Sequence, residues 1–327
     1  MEQIPIHNEI NDQNLWYGIA DSHDTLPYML CELCDDSISS MLANHTQDRK
    51  IGITLYENPA DNDQGDIWIS VEDSGAGIKN MDACMTYASS AGAETPLNRY
   101  GVALKKILAT FDPENVAWAV FTRTEKEVAT GKYLRVQAPY RTAGMSADIC
   151  PADENPWPGR FNGTGTYICF PCSRALFNTS GKGYPGHDTS FLNLVQCINE
   201  ELSVIYAPYL RSGFLINIYI QTALNKRRTF SLHALEPVWH PVKAPDMGKI
   251  TLNLGAGEVN VQYHFGEIDN NPSTVRYFQK SFSNSGVMIY ENNRLIEHHI
   301  FSAIWGKEHP QYNSFLAIIE LDVLSPK

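Results

Sequence analysis

The chain has 327 residues, of which 43% are hydrophobic and 19% charged, an ordinary composition for a globular protein with room for two domains. Twenty-five basic residues against 37 acidic residues give a net charge of −12, which argues against a surface dedicated to coating nucleic acid. No apolar run reaches the roughly 20 residues needed to cross a bilayer, and the N-terminus lacks a signal-peptide pattern. We therefore expect a cytoplasmic protein with no membrane partner.

The first 25 residues are polar, and we expect them to form an irregular N-terminal arm. Helical periodicity begins after Thr25, a suitable N-cap, and continues to about His45. This periodicity places Glu32 and Asp36, four residues apart, on the same helix face. Two acids on one helix face are most often a solvated surface, so the pair alone indicates no site.

Two strands are predicted next, at 51–57 and 66–72, and the second leads into Asp73 and the glycine-rich sequence DSGAG. Asp73 ends an apolar strand, although a buried carboxylate needs a partner. Residues 79–99 are small and polar and predict a loop. A helix is predicted to begin near Gly101.

The remainder of the chain predicts strands more often than helices. Further strands are predicted at 115–123, 132–138, 164–170 and 214–221, and an amphipathic helix at 189–207. From about residue 230 the sequence changes to short strand-like runs, which indicates a second α+β domain. No P-loop sequence is present, so nucleotide binding would require another arrangement.

The seven cysteines, an odd number, favour a reducing compartment over a disulfide scaffold. Two pairs have the CxxC spacing, Cys31/Cys34 and Cys169/Cys172. Together they could supply four thiolates to zinc. The alternative, which we favour, is that they are small buried thiols.

Four motifs in chain order resemble those of the GHKL superfamily, which includes gyrase B, the heat-shock chaperone ATPases, histidine kinases, MutL and MORC proteins. These motifs are ELCDDS at 32–37, DSGAG at 73–77, RYGVALKK at 99–106 and GTYI at 165–168. The resemblance implies an α/β fold, in which a two-layer Bergerat sandwich at 26–225 follows the arm at 1–25.

The resemblance also implies a role for each motif in binding and hydrolysing ATP. Glu32 would be the catalytic base that activates water, and Asp36 would bind Mg²⁺. Asp73 would accept a hydrogen bond from the adenine amino group, with Thr166 in support. Further ATP contacts are implied for the glycine motif, the lid and the start of the next helix, namely Gly75, Gly77, Ile78, Tyr100, Gly101, Val102, Ala103, Leu104 and Lys105.

Two departures from the family pattern predict slow turnover. Asp36 stands where the family has asparagine, which adds a negative charge beside the phosphates. Asn98 and Ala103 stand where MutL or MORC proteins have lid glycines, which predicts a stiffer phosphate loop. Lys105 matches the MORC lysine, and the alternative for it is a solvent-facing side chain. We therefore expect ATP binding with slow hydrolysis.

Residues 226–327 resemble the transducer domain of MORC and MutL-type proteins, which has a ribosomal-protein-like α+β fold. The sequence SGVMIYENNRLIEHH, which begins at Ser285, carries this resemblance. The alternative for it is an ordinary hairpin that turns at Asn292-Asn293. In such proteins a transducer lysine reaches the γ-phosphate, and Lys327 precedes the position expected for that loop.

The resemblance implies a Mg²⁺-dependent ATPase that forms a homodimer when it binds ATP, with apolar arm residues such as Trp16 crossing to the partner. The alternative is an arm that packs on its own domain. We expect MORC-like action on DNA, in genome maintenance or in defence against foreign DNA, through a C-terminal effector region or a partner protein. The basic cluster Lys226, Arg227 and Arg228 would contact DNA or form a solvated turn.

Two other functions stay open at this point. A chaperone-type ATPase would act on protein clients and be stimulated by protein and not by DNA. A scaffold that senses ATP would bind the nucleotide and dimerise without hydrolysing it.

Overall fold

The computed structural model describes residues 11–20, 24–58, 67–86, 103–186, 188–253, 258–281, 284–299 and 310–322. The chain divides into two compact units. The first unit comprises Met1–Phe177 and Tyr219–Arg228, and the second comprises Asn178–Ile218 and Thr229–Lys327. This division differs from the predicted domain boundary between residues 225 and 226, because residues 178–218 group with the C-terminal unit. Among the described residues, no helix has both the length and the apolar character needed to span a membrane.

The first unit contains short helices and most of an eight-stranded sheet, of which residues 215–218 and 229–231 group with the second unit. Its described helices are α1 Asp12–Ile19, α2 Leu26–Ala43, α3 Met81–Met85, α4 Ala103–Phe111, α5 Glu125–Ala129 and α6 Arg174–Asn178. The strands of the sheet are β1 Lys50–Glu57, β2 Ile67–Asp73, β3 Ala119–Arg123, β4 Lys132–Gln137, β5 Asp148–Pro151, β6 Gly165–Cys172, β7 Leu215–Gln221 and β8 Arg227–Ser231. Their order is β5-β4-β3-β6-β2-β1-β7-β8, and the predicted strands are therefore confirmed, although β3 begins later than expected.

The two faces of this sheet differ in burial. Because strand side chains alternate between faces, Ile53 of β1 and Ile69 of β2 point to the same side, where they are at most 1% exposed. Helices α2 and α4 contact the sheet and contribute to this core. The intervening positions, such as Thr54 and Trp68, are half-buried on the opposite face, which we call the outer face. One sheet with helices on one side is the predicted two-layer arrangement.

Helix α2 carries two of the predicted site residues. Thr25 precedes it in an extended conformation and Pro27 lies in its first turn, where a missing amide hydrogen costs nothing. Most of its side chains are buried, whereas Glu32 and Asp36 are half-buried. The pair is therefore only partly accessible to solvent, in a helix whose other side chains are mostly buried.

The prediction that the first 25 residues are irregular is wrong for Asp12–Ile19, which form α1. Asn11 caps this helix through its side chain. Trp16 is fully buried, donates a hydrogen bond from Nε1 to the Asp112 carbonyl at 2.8 Å, and stacks on Trp118 with ring centroids 5.9 Å apart. The described part of the arm thus packs on its own unit.

The second unit combines two helices with a smaller sheet in its described part. The elements are α7 Phe191–Ile205, α8 Ala207–Arg211, β9 Val238–Trp239, β10 Asp246–Asn253, β11 Glu258–Asp269, β12 Gly286–Glu291, β13 Arg294–Glu297 and β14 Phe315–Asp322. The sheet order is β10-β11-β14-β12-β13, with β9 paired to β11 and β12 parallel to β14. Val204 of α7 packs with Met288 and Leu316, and the Tyr290 hydroxyl donates to the Val204 carbonyl at 2.8 Å. These contacts explain why α7 groups with this unit.

The sequence YENNRLI forms a hairpin between β12 and β13. Asn292 and Asn293 occupy its turn with φ angles of 50° and 67°, a conformation that asparagine tolerates better than most residues. The hairpin alternative is therefore confirmed as local structure. The assignment of this unit as a transducer stays a prediction.

We expect Trp16→Ala to lower the free energy of unfolding of the first unit by about 3–5 kcal/mol, because it removes a buried aromatic side chain and a hydrogen bond. Urea denaturation followed by circular dichroism measures this change. The control is Tyr17→Ala, at a neighbouring side chain that is 47% exposed, for which we expect a change within about 0.5 kcal/mol. Equal effects of the two substitutions would contradict the packing of α1 on its own unit.

Candidate active site

Asp73 ends strand β2, and only 9% of its surface is exposed to solvent. Its carboxylate accepts hydrogen bonds from the Ser37 hydroxyl at 3.2 Å and from the Gly75 amide at 2.8 Å. The backbone of Thr166, its partner on β6, also donates to it. Donors from three separate segments therefore hold the carboxylate in place.

The ionisation of Asp73 reflects this environment. Burial raises the pKa of Asp73 to about 6, while the hydrogen bonds from Gly75, Ser37 and Thr166 act in the opposite direction. At neutral pH the carboxylate is thus mostly ionised and acts as a hydrogen-bond acceptor. A ligand that faces it must present a donor, since an unpaired buried acceptor is costly.

Glu32 and Asp36 lie one helical turn apart on α2. Burial, followed by the negative charges of Asp35 and Glu32, raises the pKa of Asp36 to about 7. Lys105 opposes this shift in pKa and Asp73 adds to it. The structure therefore brings Asp36 close to Glu32, Asp73 and Lys105, which come from three different parts of the chain.

Lys105 lies on α4 and is only 2% exposed, so the alternative of a solvent-facing lysine is wrong. Its Nζ donates a hydrogen bond to the Cys84 carbonyl at 2.7 Å. Burial lowers the pKa of Lys105, and electrostatic attraction to Cys84 and Asp36 acts in the opposite direction. Of its neighbours at the start of α4, Ala103 is half-buried and Leu104 is buried. The predicted contacts Tyr100, Gly101 and Val102 lie outside the described residues.

Two glycines of the DSGAG motif are required by close approaches of the chain. A Cβ atom at Gly75 would lie 2.7 Å from Asp73 Oδ1, so a side chain there would disturb the hydrogen bond from its amide. Gly77 has a φ angle of 74°, and a Cβ atom there would overlap the carbonyl oxygen of Arg123. The spacing of the motif therefore follows from the packing around Asp73.

Thr122 of β3 fixes the loop that follows β2. Its Oγ1 accepts a hydrogen bond from the Ile78 amide at 2.7 Å, and its hydroxyl donates to the Gly165 carbonyl at 3.2 Å. Sequence analysis did not identify Thr122 or Ser37 as part of this site. Ser37 directly follows Asp36, which was a usable signal, whereas Thr122 enters only through the pairing of β3 with β6.

The cysteines of the two CxxC pairs form no disulfide bond in the described part of the chain. Cys31, Cys34 and Cys172 are buried, and Cys169 is half-buried. Across the described residues, no group of three or more His, Cys, Asp or Glu side chains is arranged to hold a metal ion. A magnesium ion at Asp36 would therefore need oxygen ligands from a nucleotide and from water.

Comparisons with known proteins bear on the fold. No protein-family model matches the sequence, and no curated protein matches it significantly. A crystal structure of the N-terminal domain of a DNA repair protein is similar, with 12% identity, coverage of 96% of this chain and 89% of that chain, and a TM-score of 0.50. The B-subunit of the DNA gyrase from Myxococcus xanthus has 13% identity, coverage of 90% and 78%, and a TM-score of 0.44. The ATPase domain of Aquifex aeolicus MutL has 12% identity, coverage of 92% and 93%, and a TM-score of 0.40.

The chain has an α/β fold similar to that of the N-terminal domain of a DNA repair protein, and the predicted α/β class is therefore confirmed. At these identities the similarity concerns the fold alone. The roles of individual residues therefore rest on the geometry described above.

The shifted pKa of Asp36 predicts how stability depends on pH. Between about pH 4 and pH 7 the folded protein keeps a proton on Asp36 that the unfolded chain has released, so this group favours folding less as the pH rises. In EDTA, we expect Asp36→Asn to raise the free energy of unfolding by about 1–2 kcal/mol at about pH 8 and to leave it nearly unchanged near pH 4. The figure at pH 8 is smaller than the full pKa difference implies, because solvent screens a half-buried charge.

Urea denaturation at both pH values tests this expectation. Asp12→Asn is the control, because its hydrogen bonds from Thr142 lower the pKa of Asp12 and so give an effect of opposite sign. A stabilisation by Asp36→Asn that does not depend on pH would contradict the electrostatic interpretation.

The conformation of Gly77 gives a separate prediction about stability. Gly144 has a φ angle of 77°, close to that of Gly77, but no atom lies within 4 Å of a Cβ placed on it. We expect Gly144→Ala to cost about 1 kcal/mol of backbone strain, and Gly77→Ala to cost about 2–4 kcal/mol because overpacking is added. Thermal and urea denaturation of both variants measure the difference, and equal costs would contradict the close approach of Gly77 to Arg123.

Proposed function

We propose that the protein binds ATP with Mg²⁺ and hydrolyses it slowly. The observation that carries this proposal is the electrostatic proximity of Glu32, Asp36, Asp73 and Lys105 in a GHKL-like fold. These four side chains combine a buried acceptor, two further acids and a buried cation. Such a set suits a ligand that has a hydrogen-bond donor at one end and phosphates at the other.

Asp73 would select the base. Its ionised carboxylate accepts hydrogen bonds, and three protein donors already fix its orientation. The adenine amino group is a donor, whereas guanine presents a carbonyl oxygen at the same ring position. Guanine would leave two acceptors unpaired, so the site would favour ATP over GTP.

The phosphates would lie near Lys105 and the N-terminus of α4. Lys105 would contribute a charge-assisted hydrogen bond, and the positive end of the dipole of this nine-residue helix would favour an anion. Asp36 fits Mg²⁺, since a hard cation would relieve the repulsion that it experiences from Asp35, Glu32 and Asp73. The ion, when bound, would neutralise charge on the phosphates.

Glu32 would act as the general base. It is half-buried on the same face of α2 as Asp36, and its carboxylate would orient a water molecule and accept its proton. Phosphoryl transfer depends otherwise on positioning and on charge neutralisation. The acid at position 36 is the reason to expect slow turnover, because it adds a negative charge where the family has a neutral amide.

By analogy with the family, we infer that the protein acts on DNA, with a MORC-like role in genome maintenance or in defence against foreign DNA, and that ATP favours a homodimer. The second candidate is a scaffold that senses ATP without hydrolysis, which the crowded acids around Asp36 favour. A chaperone-type ATPase is the third, and stimulation of phosphate release by unfolded protein but not by DNA would identify it.

Nucleotide binding and phosphate release test these assignments together. We expect Asp73→Asn to weaken ATP binding about 10- to 100-fold, because an ionic hydrogen bond is lost. We expect Glu32→Gln to leave the dissociation constant for ATP within about threefold of the wild type while phosphate release falls about 10²- to 10⁴-fold. Isothermal titration calorimetry and a phosphate-release assay measure the two quantities.

Glu125→Gln is the matched control, since Glu125 is an exposed glutamate of α5. Equal phosphate release by the wild type and by Glu32→Gln would remove the catalytic role of Glu32 and favour the sensor. Absence of ATP binding by the wild type would remove the whole proposal. Gel filtration with a non-hydrolysable ATP analogue tests the homodimer.

A further inference from the structure

The outer face of the large sheet carries a continuous row of aromatic and arginine side chains. Strand pairing places Arg135 opposite Phe121, Phe121 opposite Tyr167, and Tyr167 opposite Glu72. Glu72 pairs in turn with Gly52, against which the ring of Tyr219 lies. The row therefore crosses the strands from β4 to β7, a distance of about 24 Å at the usual spacing between strands.

Aromatic rings occupy three of the six strands that this row crosses, and Tyr133 and Trp157 lie beside them. The ring centroid of Phe121 lies 5.7 Å from that of Tyr167 and 6.0 Å from that of Tyr133, and Tyr133 lies 5.8 Å from Trp157. Apart from the buried Tyr133, these rings are half-buried, and so is Tyr219. Part of each of these half-buried rings is therefore accessible on the surface.

The guanidinium groups of two arginines lie over aromatic rings on the outer face. The Arg123 guanidinium is 4.4 Å from the centroid of Trp157, and that of Arg160 is 4.2 Å from the centroid of Tyr219. Such stacking leaves the second surface of a guanidinium available to another flat group. The rings and guanidinium groups together form a platform suited to planar, anionic ligands.

Arginines outnumber the outward acids on the described strands of this face, although the whole chain carries a net charge of −12. The outward acids on its strands are Glu72, which is buried beside Arg160, and Asp148, which pairs with Arg135 at 2.8 Å. Arg123 and Arg227 have no carboxylate partner among the described residues. The exposed Asp153 and Glu154 follow directly after β5 and bound the row at that edge.

The hairpin of β7 and β8 extends the row. Arg227 Nε donates to Gln221 Oε1 at 3.2 Å, so both side chains lie on the outer face with Tyr219. Since side chains alternate along a strand, Arg228 points to the opposite side. The Ala223 amide in the turn donates to Glu57 Oε2 at 3.1 Å, which fixes the hairpin to β1.

We propose that the outer face binds single-stranded nucleic acid. Exposed bases would stack on Phe121, on Tyr167 and on the Arg160 guanidinium that Tyr219 supports, and the phosphates would pair with Arg123 and Arg227. Sheets that present half-exposed aromatic side chains beside basic ones bind single strands in this way, because every base has a flat face. A duplex hides its base faces, and so it would gain only the phosphate contacts.

This proposal names the surface that would serve the DNA-directed role proposed above, but it does not depend on the ATP site. Its test therefore uses the full chain in EDTA without nucleotide. Fluorescence anisotropy measures binding of a labelled DNA strand of about 20 nucleotides at about 50 and 200 mM NaCl. We expect a dissociation constant of about 1–100 µM that rises with salt, and weaker binding of the duplex of the same sequence.

Arg227→Ala and Arg228→Ala form a matched pair, because both remove an exposed arginine from the same strand but from opposite faces. We expect Arg227→Ala to weaken binding about three- to tenfold and to reduce the slope of log binding constant against log salt concentration by about one. We expect Arg228→Ala to change neither quantity much. We expect Tyr219→Leu to weaken binding at least about fivefold, and Tyr17→Leu, at an exposed tyrosine of α1, to have no effect.

Equal losses for Arg227→Ala and Arg228→Ala would overturn the proposal, since nonspecific charge would then explain the binding. Duplex binding as tight as that of the single strand would also overturn it. No anisotropy change up to about 100 µM protein would overturn it as well and would leave this face to a protein partner. Circular dichroism and urea denaturation verify that each variant is folded. Loss of ATP binding has no bearing on any of these outcomes.

Discussion

The structure of the first unit depends on two neighbouring carboxylates, Glu72 and Asp73, at the end of one strand. Both are buried, and alternation along β2 directs them to opposite faces of the sheet. A buried carboxylate without donors is costly, so the surrounding chain must supply hydrogen bonds on both faces at the same point. Ser37, Gly75 and Thr166 do so for Asp73, and the backbone amide of Arg160 does so for Oε2 of Glu72.

This requirement explains why distant segments converge at the end of β2. On the outer face, Gly52 and Gly159 leave room for Glu72, since a Cβ atom at either would lie 2.9 Å from one of its oxygens. The segment that contains Gly159 and Arg160 leads directly to Gly165, where a Cβ atom would overlap the Asp73 carbonyl oxygen. The chain that covers the outer face is therefore continuous with the chain that supports Asp73. Displacement of one would disturb the other, which links the proposed base site to the proposed nucleic-acid surface through a single strand.

The sequence alone predicts the elements and motifs of this unit well, but not the contacts between them. Asp73 and its glycines form a local pattern, and the strands have clear alternation, so both could be identified. Thr122 could not, because its place beside Gly165 depends on the pairing of β3 with β6. Helix α1 was missed because eight residues are too few to show a clear helical periodicity, and the burial of Trp16 becomes evident only with its partners. The grouping of α7 with the second unit was missed for the same reason, since an apolar helix face does not specify which sheet it will cover.

In the proposed function, the acid at position 36 would separate the binding of a nucleotide from its hydrolysis. Without a ligand, Asp36 lies among Asp35, Glu32 and Asp73, with Lys105 as the opposing charge, and its pKa is raised to about 7. A magnesium ion bound with the nucleotide would remove this repulsion, so binding would be coupled more strongly to the ion than it would be with a neutral asparagine. The same ionised side chain would then keep a negative charge close to Glu32 and to the phosphates. That charge opposes the approach of further negative charge during phosphoryl transfer, so an acid at this position can favour occupancy while it slows turnover.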